Sequence, residues 1–124
     1  MRYNAPKPNL PKLRASFFRT VLGAEPVREW LQSLPKPERR TIGKDIAYVQ
    51  YKWPIGKPRV DHLRGGVWEI RSRIEGRIAR VLFAVEEQEI VLLHGFMKKS
   101  RRTPRDALRL AEKRLKEWHD ANEE

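Results

Sequence analysis

The spacing of apolar positions changes along the chain, and each change marks an element. Val27, Trp30, Leu31 and Leu34 recur at i, i+3, i+4 and i+7, one stripe of a short helix that opens on Pro26 and is stopped by Pro35 and Pro37. Ile42, Ile46, Val49 and Trp53 form a second stripe that ends at Pro54, so the two segments predict a helical hairpin. From Val67 the period falls to two. Trp68, Ile70, Ser72 and Ile74 share one face of a strand, and Glu69, Arg71 and Arg73 share the other. Glu75-Gly76 supplies a tight turn, and "RIARVLFAV" returns as a second strand. A two-residue loop pairs Ile74 with Arg77, Ser72 with Ala79, Ile70 with Val81 and Trp68 with Phe83. The same register sets Arg71 opposite Arg80, with Arg73 diagonal to it.

The polar turn "EEQE" (86–89) leads into a third strand, "IVLLHGFM". A four-residue loop there would set Gly95 beside Arg80 and turn His94 towards the helices as a core histidine. Leu108, Ala111, Leu115 and Trp118 give the last helix its stripe, with Thr103 as N-cap, Pro104 in the first turn and Asp106 at the capping-box position. Lys113, Arg114 and Lys116 read as its solvated face. Upstream, "LRASFFRT" alternates imperfectly as a first strand, and "PIGKPRVDHLRGG" reads as a loop. Residues 1–12 hold three prolines and predict an extended arm, followed by one domain over 13–120 and a tail at 121–124. The expected class is α+β: a small, mainly antiparallel sheet with helices on one face and the other face open.

Charge changes the picture. The chain has 27 Lys and Arg against 16 Asp and Glu, a formal charge of +11, which favours a polyanionic partner. No apolar run is long enough to span a membrane and the start shows no signal pattern, so a cytoplasmic protein is expected. Without cysteine there are no disulfides, thiolate nucleophiles or Cys-type zinc sites. His62, His94 and His119 match no metal-ligand spacing, and no metal or other cofactor is expected.

The cations gather on the strands. Like charges opposite each other on a strand pair destabilise it, so Arg71 facing Arg80 works against folding unless an anion lies between them. Lys98 and Lys99 end the neighbouring strand, and cations converging from three strands would clamp a phosphate. The plainer account is that strand faces carry Arg and Lys for solubility, with Glu69 neutralising Arg71. Arg77 has the parity of the core face but adjoins the turn, from which it would escape to solvent.

The stretches "PVREWLQSLP", "WPIGKP", "HLRGGVWEIRSR", "GRIARVLF" and "LLHGFMKKSRRTP" cover most of the domain. In these the chain resembles the HigB-like, phage-derived branch of the RelE/ParE superfamily of type II toxin-antitoxin toxins. The resemblance implies a RelE-like fold, a helical hairpin and C-terminal helix packed on a twisted sheet. It also implies a ribosome-dependent endonuclease that cuts mRNA without metal and is held inactive by an antitoxin, often a helix-turn-helix repressor. Matched by motif, Arg71, Arg80, Lys98 and Lys99 fall on the family's basic active-site positions, and Arg73 matches more weakly. Some members place a tyrosine before the strand arginine and another near the carboxyl end. Here Ala79 precedes Arg80 and no tyrosine follows Tyr51, so no tyrosine base is available at those positions.

The leading expectation is attack of a 2′-hydroxyl on the adjacent phosphate, with fixed cations stabilising the charge that grows on its oxygens. Arg71 and Arg80 would clamp the phosphate, Lys98 or Lys99 would stabilise the leaving group or oxyanion, and Arg64, Arg73, Arg101 and Arg102 would hold flanking RNA. A lysine with a lowered pKa is one choice of base. Two other readings are a module that binds RNA or the ribosome and blocks translation without cutting, and a ParE-like inhibitor of DNA gyrase.

Overall fold

The computed structural model describes residues 10–98 and 103–123. The elements run β1 (Arg14–Phe17), α1 (Pro26–Ser33), α2 (Lys36–Lys52), β2 (Val60–Arg64), β3 (Val67–Ile74), β4 (Arg77–Glu86), β5 (Glu89–Lys98) and α3 (Arg105–Ala121). The strands form one sheet in the order β1-β5-β4-β3-β2, with β1 parallel to β5 and every other pair antiparallel. This is the expected α+β architecture.

The β3–β4 hairpin has the register that period and turn predict. Ile74 faces Arg77, Arg71 faces Arg80 and Trp68 faces Phe83. Gly76 at φ +71° supplies the left-handed turn conformation that a side chain would resist. The next hairpin starts in its predicted register too, with Val85 on Ile90 and Phe83 on Leu92. A bulge between Leu82 and Phe83 then shifts the pairing by one residue, so Leu82 faces His94 and Arg80 faces Phe96, not Gly95. Gly95 is instead matched to Val81 on the hairpin side, where the Trp30 indole lies against it and fills the space of a Cβ.

Two departures concern whole elements. Residues 60–64 are a strand, not a loop: Val60 is buried, and Gly65 at φ +55° turns the chain into β3. The helices also divide between the two faces. Val27 of α1 and Ile42, Ile46 and Val49 of α2 pack with Ile70, Ala79, Val81 and Phe83 on one side. On the other, Ala107, Ala111 and Leu115 of α3 pack with Val67, Leu82, Ala84 and Leu93. The second face is therefore covered along part of its length because Leu82, Ala84, Val91 and Leu93 make it apolar there. Arg114 is not simply solvated: it donates to the Leu93 carbonyl at 2.8 Å and lies over the Phe18 ring.

Candidate nucleic-acid interface

Beyond the reach of α3's apolar stripe, the second face carries Glu69 and Arg71 from β3 and Arg80 from β4. Strand alternation places them there, and the register brings the two arginines opposite each other. Both guanidinium groups converge on one carboxylate oxygen. Arg71 Nε donates to Glu69 Oε1 at 2.8 Å, and Arg80 Nη1 donates to the same atom at 3.1 Å and to Oε2 at 3.2 Å. Glu69 is fully buried and Arg80 is 1% exposed. An ionised pair so deep is tolerable only when its hydrogen-bonding capacity is met.

Thr103 completes the arrangement. Its hydroxyl accepts from Arg80 Nη1 at 3.1 Å and donates to Glu69 Oε2. It does not cap the last helix as its position predicts. The helix begins at Arg105 with Pro104 at the N-cap and no side-chain cap, because the buried carboxylate is the stronger acceptor for this hydroxyl. The anion that offsets Arg71 and Arg80 is thus internal, with Asp61 as a further carboxylate 3.4 Å from Arg71. The plainer expectation, that Glu69 neutralises Arg71, is what the structure shows.

Arg71 nevertheless faces outwards. Its side chain is 31% exposed and, with Thr41, Asp45, Pro58, Arg59, Arg73 and Ile78, it lines a groove of about 700 Å³. The groove exists because β2 stops pairing at Val60–Ile70, and after the bond from the Arg71 N–H to the Arg59 carbonyl the β3 edge from Ser72 to Ile74 has no neighbouring strand among the described residues. Asp61, Thr103 and the groove escape sequence reasoning, since each depends on β2 or on contacts distant in the chain.

The other sequence candidates are spread out. Arg73 joins Arg71 in the groove. Arg64 lies at the opposite end of β2, bound twice to Glu112 of α3 at 3.1 and 2.5 Å. That pairing raises the Arg64 pKa and lowers that of Glu112. Arg77 pairs with Glu38 of α2. Lys98 ends β5 opposite Ile78; its side chain, and Lys99, Arg101 and Arg102, lie outside the described residues. The bulge moves His94 to the α3 side, where it stacks on Phe96 with ring centroids 5.2 Å apart. Burial, aided by Arg114, pushes its pKa down to about 4. Among the described residues no three His, Asp or Glu side chains are placed to hold a metal ion, and no helix is long and apolar enough to cross a membrane.

Three helices on a five-stranded, mixed and twisted sheet are consistent with a RelE-like fold. The family model of the phage derived protein Gp49-like group (DUF891) matches residues 29–116. The chain belongs to that family, a RelE/ParE-like toxin family of toxin-antitoxin systems. No curated protein matches the chain. Membership in a toxin family suggests an antitoxin as partner.

Proposed function

We propose that the protein is a HigB-like toxin, a cytoplasmic, ribosome-dependent endonuclease that cuts mRNA without a metal and is held in check by an antitoxin of helix-turn-helix type. The observation that carries this reading is the half-exposed Arg71 guanidinium on the wall of an open cationic groove, with Arg80 fixed behind it on the same carboxylate oxygen. Arg71 and Arg73 contact the scissile phosphate. Arg80, paired with the same buried carboxylate, holds Glu69 in place behind Arg71 and so keeps the Arg71 guanidinium preorganised at the groove wall. Lys98 ends the adjoining strand, Lys99 follows it in sequence, and one or the other stabilises the oxyanion or the leaving group. Arg64, Arg101 and Arg102 hold flanking backbone.

In the reaction the 2′-oxygen bonds to phosphorus and the bond from phosphorus to the 5′-oxygen breaks, leaving a 2′,3′-cyclic phosphate and a free 5′-hydroxyl. A base takes the 2′-proton and an acid returns one to the leaving oxygen. Of the two carboxylates touching Arg71, only Asp61 is open to solvent, so Asp61 is the carboxylate placed to accept the proton. With purified ribosomes carrying message, discrete cuts that survive EDTA are expected, and Arg71→Ala should abolish them while the protein stays folded. Cuts lost on chelation would overturn the metal-free mechanism.

One observation favours a second reading, inhibition of translation by binding without cutting: Arg80 is already engaged by Glu69 and Thr103. That reading predicts arrested ribosomes with intact message.

A further inference from the structure

The solvent side of α2 carries Lys36, Arg40 and Lys44 at successive i, i+4 positions, each step about 6 Å along the axis. Like charges at this spacing repel and weaken a helix. The acids that could relieve them are turned away: Glu38 pairs with Arg77, and Asp45 lies 3.9 Å from Arg59. Among the described residues no ion pair engages Lys36, Arg40 or Lys44. Three cations are thus held in a row at a cost to the helix, with no counter-charge paired to them among the described residues.

The row has a direction. A shallow depression of about 340 Å³ is lined by Lys36, Pro37, Arg40, Thr41 and Lys44. Thr41 also lines the neighbouring depression beside Arg73 and Arg77, and the groove that holds Arg71. One residue therefore borders all three, and the track passes from α2 over the open β3 edge to the arginine groove. Beside it Arg59 lies over the Tyr48 ring at 4.1 Å, and Tyr48 and Tyr51 are 39% and 41% exposed. Aromatic and guanidinium planes beside a cationic track suit unstacked bases. Apart from Ile74, Ile78 and two prolines the track is lined by polar and charged side chains, so it offers few of the apolar anchors that protein partners use.

We propose that this face of α2 is a second RNA-binding surface, which holds the phosphates of single-stranded RNA along Lys36, Arg40 and Lys44 and leads the strand into the groove at Arg71. The inference rests on the RNA reading of that groove but adds a site outside it. The test is fluorescence anisotropy with uncleavable 2′-O-methyl RNA of about 4 and about 12 nucleotides, lengths within the range one small domain covers. The triple variant Lys36→Ala, Arg40→Ala, Lys44→Ala should bind the longer RNA about 10-fold or more weakly. Its slope of log affinity against log salt should fall by about 2, at roughly 0.7 for each single-strand phosphate no longer neutralised. The short RNA should be unaffected. The three side chains face solvent, alanine favours helix and the repulsion is removed, so a melting temperature equal to or slightly above the wild type's is expected and verifies the fold.

If the triple variant binds the longer RNA with wild-type affinity and slope, the α2 surface is refuted. If Arg71→Ala binds both RNAs as the wild type does while the triple variant loses the longer one, the groove reading fails and the α2 surface stands. Wild-type protein that binds neither RNA but captures poly-glutamate through these three residues would assign the row to an acidic protein segment and overturn the proposal; binding to none of the three overturns it as well.

Discussion

The two faces of the sheet meet the same requirement, removal of β3 and β4 from water, by different means. Towards the hairpin, Ile70, Ala79, Val81 and Phe83 are apolar and buried, and the small Ser72 is buried among them, so this face is held mainly by area and shape. Towards α3, Leu82 and Ala84 are covered by the helix, but Leu82 has Glu69 directly opposite it and Arg80 lies in the next row of the same face, a buried charge pair. An apolar core would fold this sheet as well. The ionic fill also fixes the Arg71 guanidinium at the wall of a groove, and that is a functional difference between the faces.

The largest expected effect separates them at adjacent positions. Glu69→Gln removes the charge under Arg80 and Arg71 and should cost about 3 to 5 kcal/mol in urea unfolding, the range for leaving a buried charge without its partner. Ile70→Val, one residue on and facing the hairpin, should cost about 1 kcal/mol. Equal losses would mean that the pair is no more demanding than ordinary packing. The hairpin face has its own sensitive point in Gly95. An added methyl there overlaps the Trp30 indole, and Gly95→Ala should lower stability by about 1 to 3 kcal/mol in the same assay.

These positions also show how much was legible beforehand. Turn chemistry and period-two alternation predict the β3–β4 register residue by residue, including Arg71 against Arg80, because local rules determine a two-residue hairpin. They fail at the β5 bulge, which no local signal marks, and with it at the placement of His94 and Gly95. The strand Val60–Arg64 was hidden by three polar residues in five, with Gly65-Gly66 as the one hairpin cue. Alternation also put Glu69 on the arginine face. What alternation does not give is depth: with α3 assigned to the other side, it leaves that face open and makes Arg80 a surface cation, whereas the side chain is buried.

His94 sharpens the comparison through pH. It sits beside Gly95 but on the α3 side, half-buried near Arg114, with its folded-state pKa down at about 4 against an ordinary 6.5. As pH drops below 6.5 the unfolded chain takes up a proton that folded His94 refuses, so stability falls until about pH 4 and then levels. With allowance for partial exposure the loss is on the order of 2 kcal/mol. His94→Gln should flatten that part of the profile of melting temperature against pH; an unchanged slope would place the effect on other groups.

Thr103 tests the smallest term in the ionic fill. Its hydroxyl links Arg80 to Glu69, and it directly follows the segment that carries Lys98, Lys99, Arg101 and Arg102 in sequence. Thr103→Val keeps the shape and removes the hydroxyl, and since the carboxylate retains two arginines the stability loss should be about 1 to 2 kcal/mol. Thr103→Ser should restore most of it. RNA binding gives the independent readout. If the hydroxyl only satisfies a buried carboxylate, affinity and salt slope stay at wild-type values in Thr103→Val. If it also couples the buried pair to RNA binding by the basic segment that precedes it in sequence, both fall together and return with serine.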